Sequence, residues 1–251
     1  MYIDDSIVIN YIKGEDISNE WIFYNLIHGE YKYEDPKVNN DKIMSANNLI
    51  KENLIDFSPY NEDFFDYAFP NWREVYENEM KFILTVGCPY PFEAMTRERN
   101  DDLYIIFDIN RIYTGNESSI IETVDALITH EIFHLLYEKN DYSNVSNYKY
   151  EMLNMVFNEG FAHYLSLNNK LRDNYEKIRN KYYKNNLNKL SSALKENNRQ
   201  KQLSNITEAN ANSFYEKYAP MVGLFILMDN EDRIREIYDA GYENILSYAI
   251  E

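Results

Sequence analysis

The feature that most limits what this chain can fold into is the apolar run Ile120–Tyr137, which carries His130-Glu131-Ile132-Phe133-His134 near its end. Its apolar residues recur at helical spacing, so the run is read as a buried helix. Two imidazoles and a carboxylate on such a helix need partners, because unpaired polar groups are costly to desolvate. A helix turns once in about 3.6 residues, so His130 and His134 share a face and both reach a single metal ion. Glu131 is rotated from that line by about 100°, which sets it beside the ion, where it can hold and deprotonate a water. A catalytic tetrahedral zinc takes three protein ligands and leaves one position to water. The spacing therefore asks for a third donor elsewhere in the chain.

Downstream, a second apolar segment of helical period contains Asn158-Glu159-Gly160-Phe161-Ala162-His163-Tyr164. The two motifs together resemble the gluzincin metallopeptidases of the peptidase MA-like superfamily. In that family a His-Glu-x-x-His helix is followed by a second helix bearing a glutamate ligand in an Asn-Glu-Gly-x-Ala-x-Tyr setting. The resemblance implies that His130, His134 and Glu159 bind Zn2+, that Glu131 is the catalytic base, and that the substrate is a peptide or protein. It covers roughly residues 80 to 170, and outside the motifs it is one of layout. His163 departs from the pattern: several gluzincins place there an aspartate that accepts a hydrogen bond from a ligand histidine. The histidine is left three roles: donating to a developing oxyanion, replacing Glu159 as ligand, or packing. Related families also place a tyrosine near the start of a C-terminal helix to stabilise the oxyanion. Tyr218, just before Ala219-Pro220, is the candidate, with Tyr215 and Tyr164 as rivals among 24 tyrosines.

With 251 residues, 45% hydrophobic and 16% aromatic, and only 7 glycines, the chain suits a helix-rich globular protein with a sizeable core. We expect a single zincin-like domain over 1–251: a helical part at 1–80, a sheet and metal-site core at 81–169, and a helical part at 170–251. Cys88 is the single cysteine, which excludes an internal disulfide and a cysteine-based metal site. Neither a signal peptide nor a membrane-length apolar run is visible, so a cytoplasmic location with no membrane partner is expected.

The formal charge is −17, unevenly spread. Residues 170–201 hold 10 Lys/Arg against 3 Asp/Glu, a local charge of +7 that leaves −24 for the remainder. That field disfavours nucleic acid and would attract basic peptides, although it also serves plain solubility. The basic stretch with its interleaved tyrosines carries no recognisable RNA-binding module and is read as a solvated helix face.

Along the chain, helical spacing appears at Ile7–Ile12, Ile43–Phe57 and, broken near Pro70, over 61–81. His28, alone before Gly29, is read as a core or surface residue. Two β-rich runs follow, 82–86 and 103–109, ahead of the metal helix. The second is either an edge that takes a substrate strand, as the resemblance implies, or an interior strand, as its continuous apolarity suggests. Ser119-x-x-Glu122 reads as a capping box opening the metal helix. A polar loop at 140–147 then leads to a helix from about Tyr148 to Leu167, short enough to set Glu159 antiparallel to the histidines. Leu171, Tyr175, Ile178, Tyr182, Tyr183, Leu187, Leu190 and Leu194 form a stripe at helical intervals. Residues 208–250 give two more helices.

The expected class is α+β, mostly α-helical, with a small sheet beside the metal helix. The expected chemistry is peptide hydrolysis. Two alternatives stay open: a non-catalytic zinc-stabilised binding or regulatory protein, and a zinc hydrolase of a non-peptide amide.

Overall fold

The computed structural model describes residues 1–26, 29–90, 92–113, 116–139, 147–167, 169–211 and 213–250. His28 and residues 140–146 of the expected loop lie outside them. In chain order the elements are β1 (Tyr2–Asp4), α1 (Ser6–Ile12), α2 (Asn40–Ile55), α3 (Glu62–Ala68), α4 (Trp72–Glu79), β2 (Lys81–Thr85), β3 (Ala94–Arg99), β4 (Asp102–Asp108), α5 (Ile109–Ile112) and α6 (Glu117–Tyr137). There follow α7 (Tyr148–Leu165), α8 (Asn169–Asp173), α9 (Tyr175–Ala193), α10 (Arg199–Ala209), α11 (Tyr218–Asp229) and α12 (Ile234–Ala240). Helices dominate and one small sheet accompanies them, which makes the class α+β. Two compact units are resolved: 1–59 with 69–131, and 60–68 with 132–251.

The first unit holds a four-stranded sheet in the order β1-β2-β4-β3. β1, β2 and β4 run parallel, whereas β3 is antiparallel to β4, with Met95 opposite Ile106 and Thr96 opposite Ile105. Phe82, Ile83, Leu84, Ile105, Ile106 and Phe107 are buried, as continuous apolar runs of interior strands must be. The strand part of the run at 103–109, within β4, is thus interior, and the edge beside it is β3. Its polar Thr-Arg-Glu-Arg sequence suits an edge, where charge discourages pairing with other chains, and hides it from a search for apolar strands. The turn between β3 and β4 is Asn100-Asp101, with φ of 54° and 64°. Asn and Asp tolerate these left-handed angles, which a two-residue hairpin of the right twist requires. On α2, Ile43, Ala46, Ile50 and Leu54 are buried at intervals of three and four, and the Asn39 side chain caps the helix at the Asp41 amide.

α6 opens three residues earlier than the capping-box reading places it, with Asn116 and not Ser119 as the capping residue. Asn116 accepts the Ser118 amide at 3.0 Å and does the capping. Ser119 already lies in the first turn, its carbonyl accepting from Thr123 Oγ1 at 2.7 Å.

In the second unit α11 is buried from Tyr218 to Leu227 and so is apolar on every side. Its close neighbour is α7. A Cβ on Gly223 would lie 1.9 Å from the Val156 carbonyl oxygen, and one on Gly160 2.7 Å from Gly223 Cα. The glycine after Glu159 therefore lets two helix backbones touch. Phe133 stacks on Phe161 at 5.8 Å, and Phe161 meets the tilted ring of Phe157 at 4.6 Å, which pins the end of α6 to α7.

Candidate metal centre

α6 runs unbroken through His130 and His134, one turn apart, and α7 carries Glu159. One ligand atom from each of the three side chains lies within 4.8 Å of the others, a group that could hold a metal ion. Each residue is part-buried. Between His134 Nε2 and Glu159 Oε2 the distance is 4.0 Å. Donors at about 2.1 Å around a tetrahedral zinc would stand about 3.4 Å apart, so small side-chain rotations would close the group on an ion.

Two asparagines aim these donors. His134 Nδ1 lies 2.9 Å from Asn158 Oδ1. An amide oxygen only accepts, so Nδ1 carries the proton and Nε2 presents its lone pair. Asn210 Nδ2 donates to Glu159 Oε1 at 3.0 Å, which leaves Oε2 turned toward the histidines. The donor set therefore fits a divalent cation of zinc's preferences: two imidazoles and one carboxylate, two of the three held from behind. Sequence reasoning missed both asparagines as site residues. Asn158 was visible inside the motif, but Asn210 comes from just beyond α10 and carries no local signal.

Glu131 is absent from that group. In the first unit, its Oε2 accepts from the Thr96 hydroxyl at 2.6 Å. The edge strand β3 thus reaches the carboxylate next to His130, another partner the sequence did not reveal.

His163 stands one turn beyond Glu159, with Nε2 3.8 Å from Glu159 Oε2 and its ring 5.0 Å from that of Phe214. Burial pushes its pKa down to about 4; Lys217 and His134 act in the same direction and Glu159 opposes them. The ring is neutral near pH 7.

Tyr218 opens α11, where the sequence places it, but its hydroxyl donates to the Asn205 carbonyl at 2.8 Å, and burial pushes its pKa up to about 12. Its rivals are otherwise engaged. The Tyr215 ring stacks on Tyr182 at 5.2 Å, and Tyr164 lies under the Arg172 guanidinium.

A family model described as "Putative zinc dependent peptidase (DUF5700)" matches residues 9–251. The chain belongs to this family. Zinc is accordingly its cofactor, and the His130, His134 and Glu159 group is where the described residues can hold it. No curated protein and no solved structure matches the chain. Among the described residues no helix is long and apolar enough to cross a membrane.

Proposed function

We propose that this member of a zinc-dependent peptidase family is a hydrolase of the gluzincin type, a single zincin-like domain in which His130, His134 and Glu159 hold the metal. The observation that carries the reading is the division of labour along one helix turn. His130 and His134 point into a donor group with Glu159, while the intervening Glu131 stays out of it. A purely structural site has no use for that carboxylate.

Bound zinc lowers the pKa of a water to about 7 and polarises a carbonyl as a Lewis acid. Glu131 is the general base: it takes a proton from the attacking water and hands it to the leaving amine. The Thr96 hydroxyl fixes one Glu131 oxygen and leaves the other to meet the water. Asn158 and Asn210 keep the ligand donors aimed. β3, at the end of the sheet, offers the backbone edge on which an extended peptide would lie, using hydrogen bonds that are blind to sequence. Tyr218 is the tyrosine assigned to the developing oxyanion, a role that requires its hydroxyl to leave the Asn205 carbonyl.

A digest of an unbiased peptide library, with and without chelator, tests this reading. Chelator-sensitive cleavage that returns with zinc is expected. A folded, zinc-loaded protein that cleaves no peptide would overturn it, and cleavage confined to non-peptide amides would shift the substrate class.

A further inference from the structure

Within the second unit, the ring of Phe214 that meets His163 also lines a cavity of about 600 Å³. This is in the size range of sites that enclose a ligand group, about 300–1,000 Å³. Its walls include Ile178 and Tyr182 of α9 and the Phe214–Tyr215 pair, with Lys177 and Lys181 among them. The apolar stripe expected along α9 divides here. Tyr183 and Leu190 are consumed by the core, whereas Ile178 and Tyr182 are only half-covered and line the cavity. Tyr182 and Tyr215 stack nearly parallel at 5.2 Å, and Phe214 is 39% exposed. An aromatic, partly uncovered wall therefore lies two contacts from Glu159: Phe214 to His163, and His163 to Glu159.

The charge around this wall is opposite to that of the whole chain. Lys177 and Lys181 sit one helical turn apart and are exposed, with the Lys181 amine 4.7 Å from the Tyr182 ring centroid. Lys217 follows the aromatic pair, and Glu216 is the acid that acts on Lys181. Two amines, Lys177 and Lys181, thus line the cavity in a protein whose net charge is −17.

We propose that this cavity selects the substrate: it takes an aromatic side chain beside the scissile bond of a peptide whose neighbouring residues are acidic. The proposal rests on the peptidase reading above and names the substrate class for that site. Aromatic stacking supplies the contact area, and the lysines admit carboxylates and repel basic flanks. Net charge alone points to basic peptides, but charges within a Debye length of about 8 Å outweigh the distant field at physiological salt.

Two peptides decide it, both built around one phenylalanine, one flanked by Glu and Asp and the other by Lys and Arg. Calorimetry with zinc-loaded Glu131→Gln protein should give about three- to tenfold tighter binding of the acidic peptide, the range expected for two exposed ion pairs. The double variant Lys177→Glu, Lys181→Glu should reverse the preference, and Phe214→Ala should weaken both peptides. Equal affinities, or a preference unmoved by the charge reversal, would overturn the proposal. Cleavage by the unmodified zinc protein is measured alongside. If neither peptide is cut, the peptidase reading fails, while the binding measurement still decides what the cavity accepts.

Discussion

His134 Nδ1 and Asn158 Oδ1 lie 2.9 Å apart, a bond from a metal donor on one helix to the residue before Glu159 on the next. It sets the tautomer and the ring plane of His134 together. Asn158→Ala should therefore weaken zinc binding about 10- to 100-fold, the usual effect of removing a partner behind a ligand histidine. Competition against a chromophoric chelator measures it. Asn158→Asp keeps an acceptor and should stay close to the parent, whereas equal losses in both variants would contradict the orienting role.

Glu131 is bound by Thr96 and not by the metal donors. Glu131→Gln should retain zinc and lose about 100-fold or more in kcat, the contribution typical of a general base. Thr96→Val should retain zinc too and lose about three- to tenfold, since one hydrogen bond to a charged acceptor near solvent is at stake. Tyr218→Phe belongs in the same assay: a fall in kcat at unchanged KM supports its oxyanion role, and unchanged kinetics remove it.

The α7–α11 contact has no room for a methyl group. Gly223→Ala would drive its Cβ to 1.9 Å from the Val156 carbonyl, so the helices must separate. Thermal unfolding should show a loss of about 1–3 kcal/mol or more. Gly14→Ala is the control for steric crowding, because nothing stands within 4 Å of that position, although its φ of +79° adds local strain.

Much of this arrangement is legible in the sequence, for a physical reason. The metal motif fixes a face of α6, and the Glu159 motif fixes a face of α7, because helical spacing alone decides which side chains coincide. The strands were half legible. β2 and β4 are buried on both faces and read as apolar runs, but β3 is an edge whose Thr96, Arg97, Glu98 and Arg99 obey no burial pattern, and β1 spans only Tyr2–Asp4. Asn210 and Thr96 were invisible as site residues because their partners lie 51 and 35 positions away. Such meetings are made by tertiary folding and leave no local spacing to detect. The α9 stripe misled in part, since apolar periodicity marks a face that avoids water without saying whether core or cavity covers it.

Stability should carry a signature of Asp108, which is buried at the end of β4. Burial pushes its carboxyl up to about 6, against hydrogen bonds from the Cys88 and Arg111 amides that pull it down. The folded state thus holds this proton more tightly than the unfolded chain, whose ordinary value is about 3.9. Its contribution is fully present below about pH 4 and lost as pH rises through about 6, on the order of 3 kcal/mol in all. Denaturant unfolding of the parent and of Asp108→Asn at pH 4 and pH 7 reads it out. The parent should lose stability relative to the variant between the two; a difference independent of pH would show that the Asp108 carboxyl titrates no higher in the folded protein than in the unfolded chain.

X-ray absorption at the zinc edge, on protein loaded with one equivalent of metal, addresses the ligand assignment most directly. The expected spectrum is that of a low-coordinate ion with two imidazole nitrogens and light oxygen donors, losing one imidazole in His134→Ala and changing in Glu159→Ala. A spectrum unaltered by either substitution, or an ion coordinated by water alone, would contradict the assignment of His130, His134 and Glu159 as the donors that hold it.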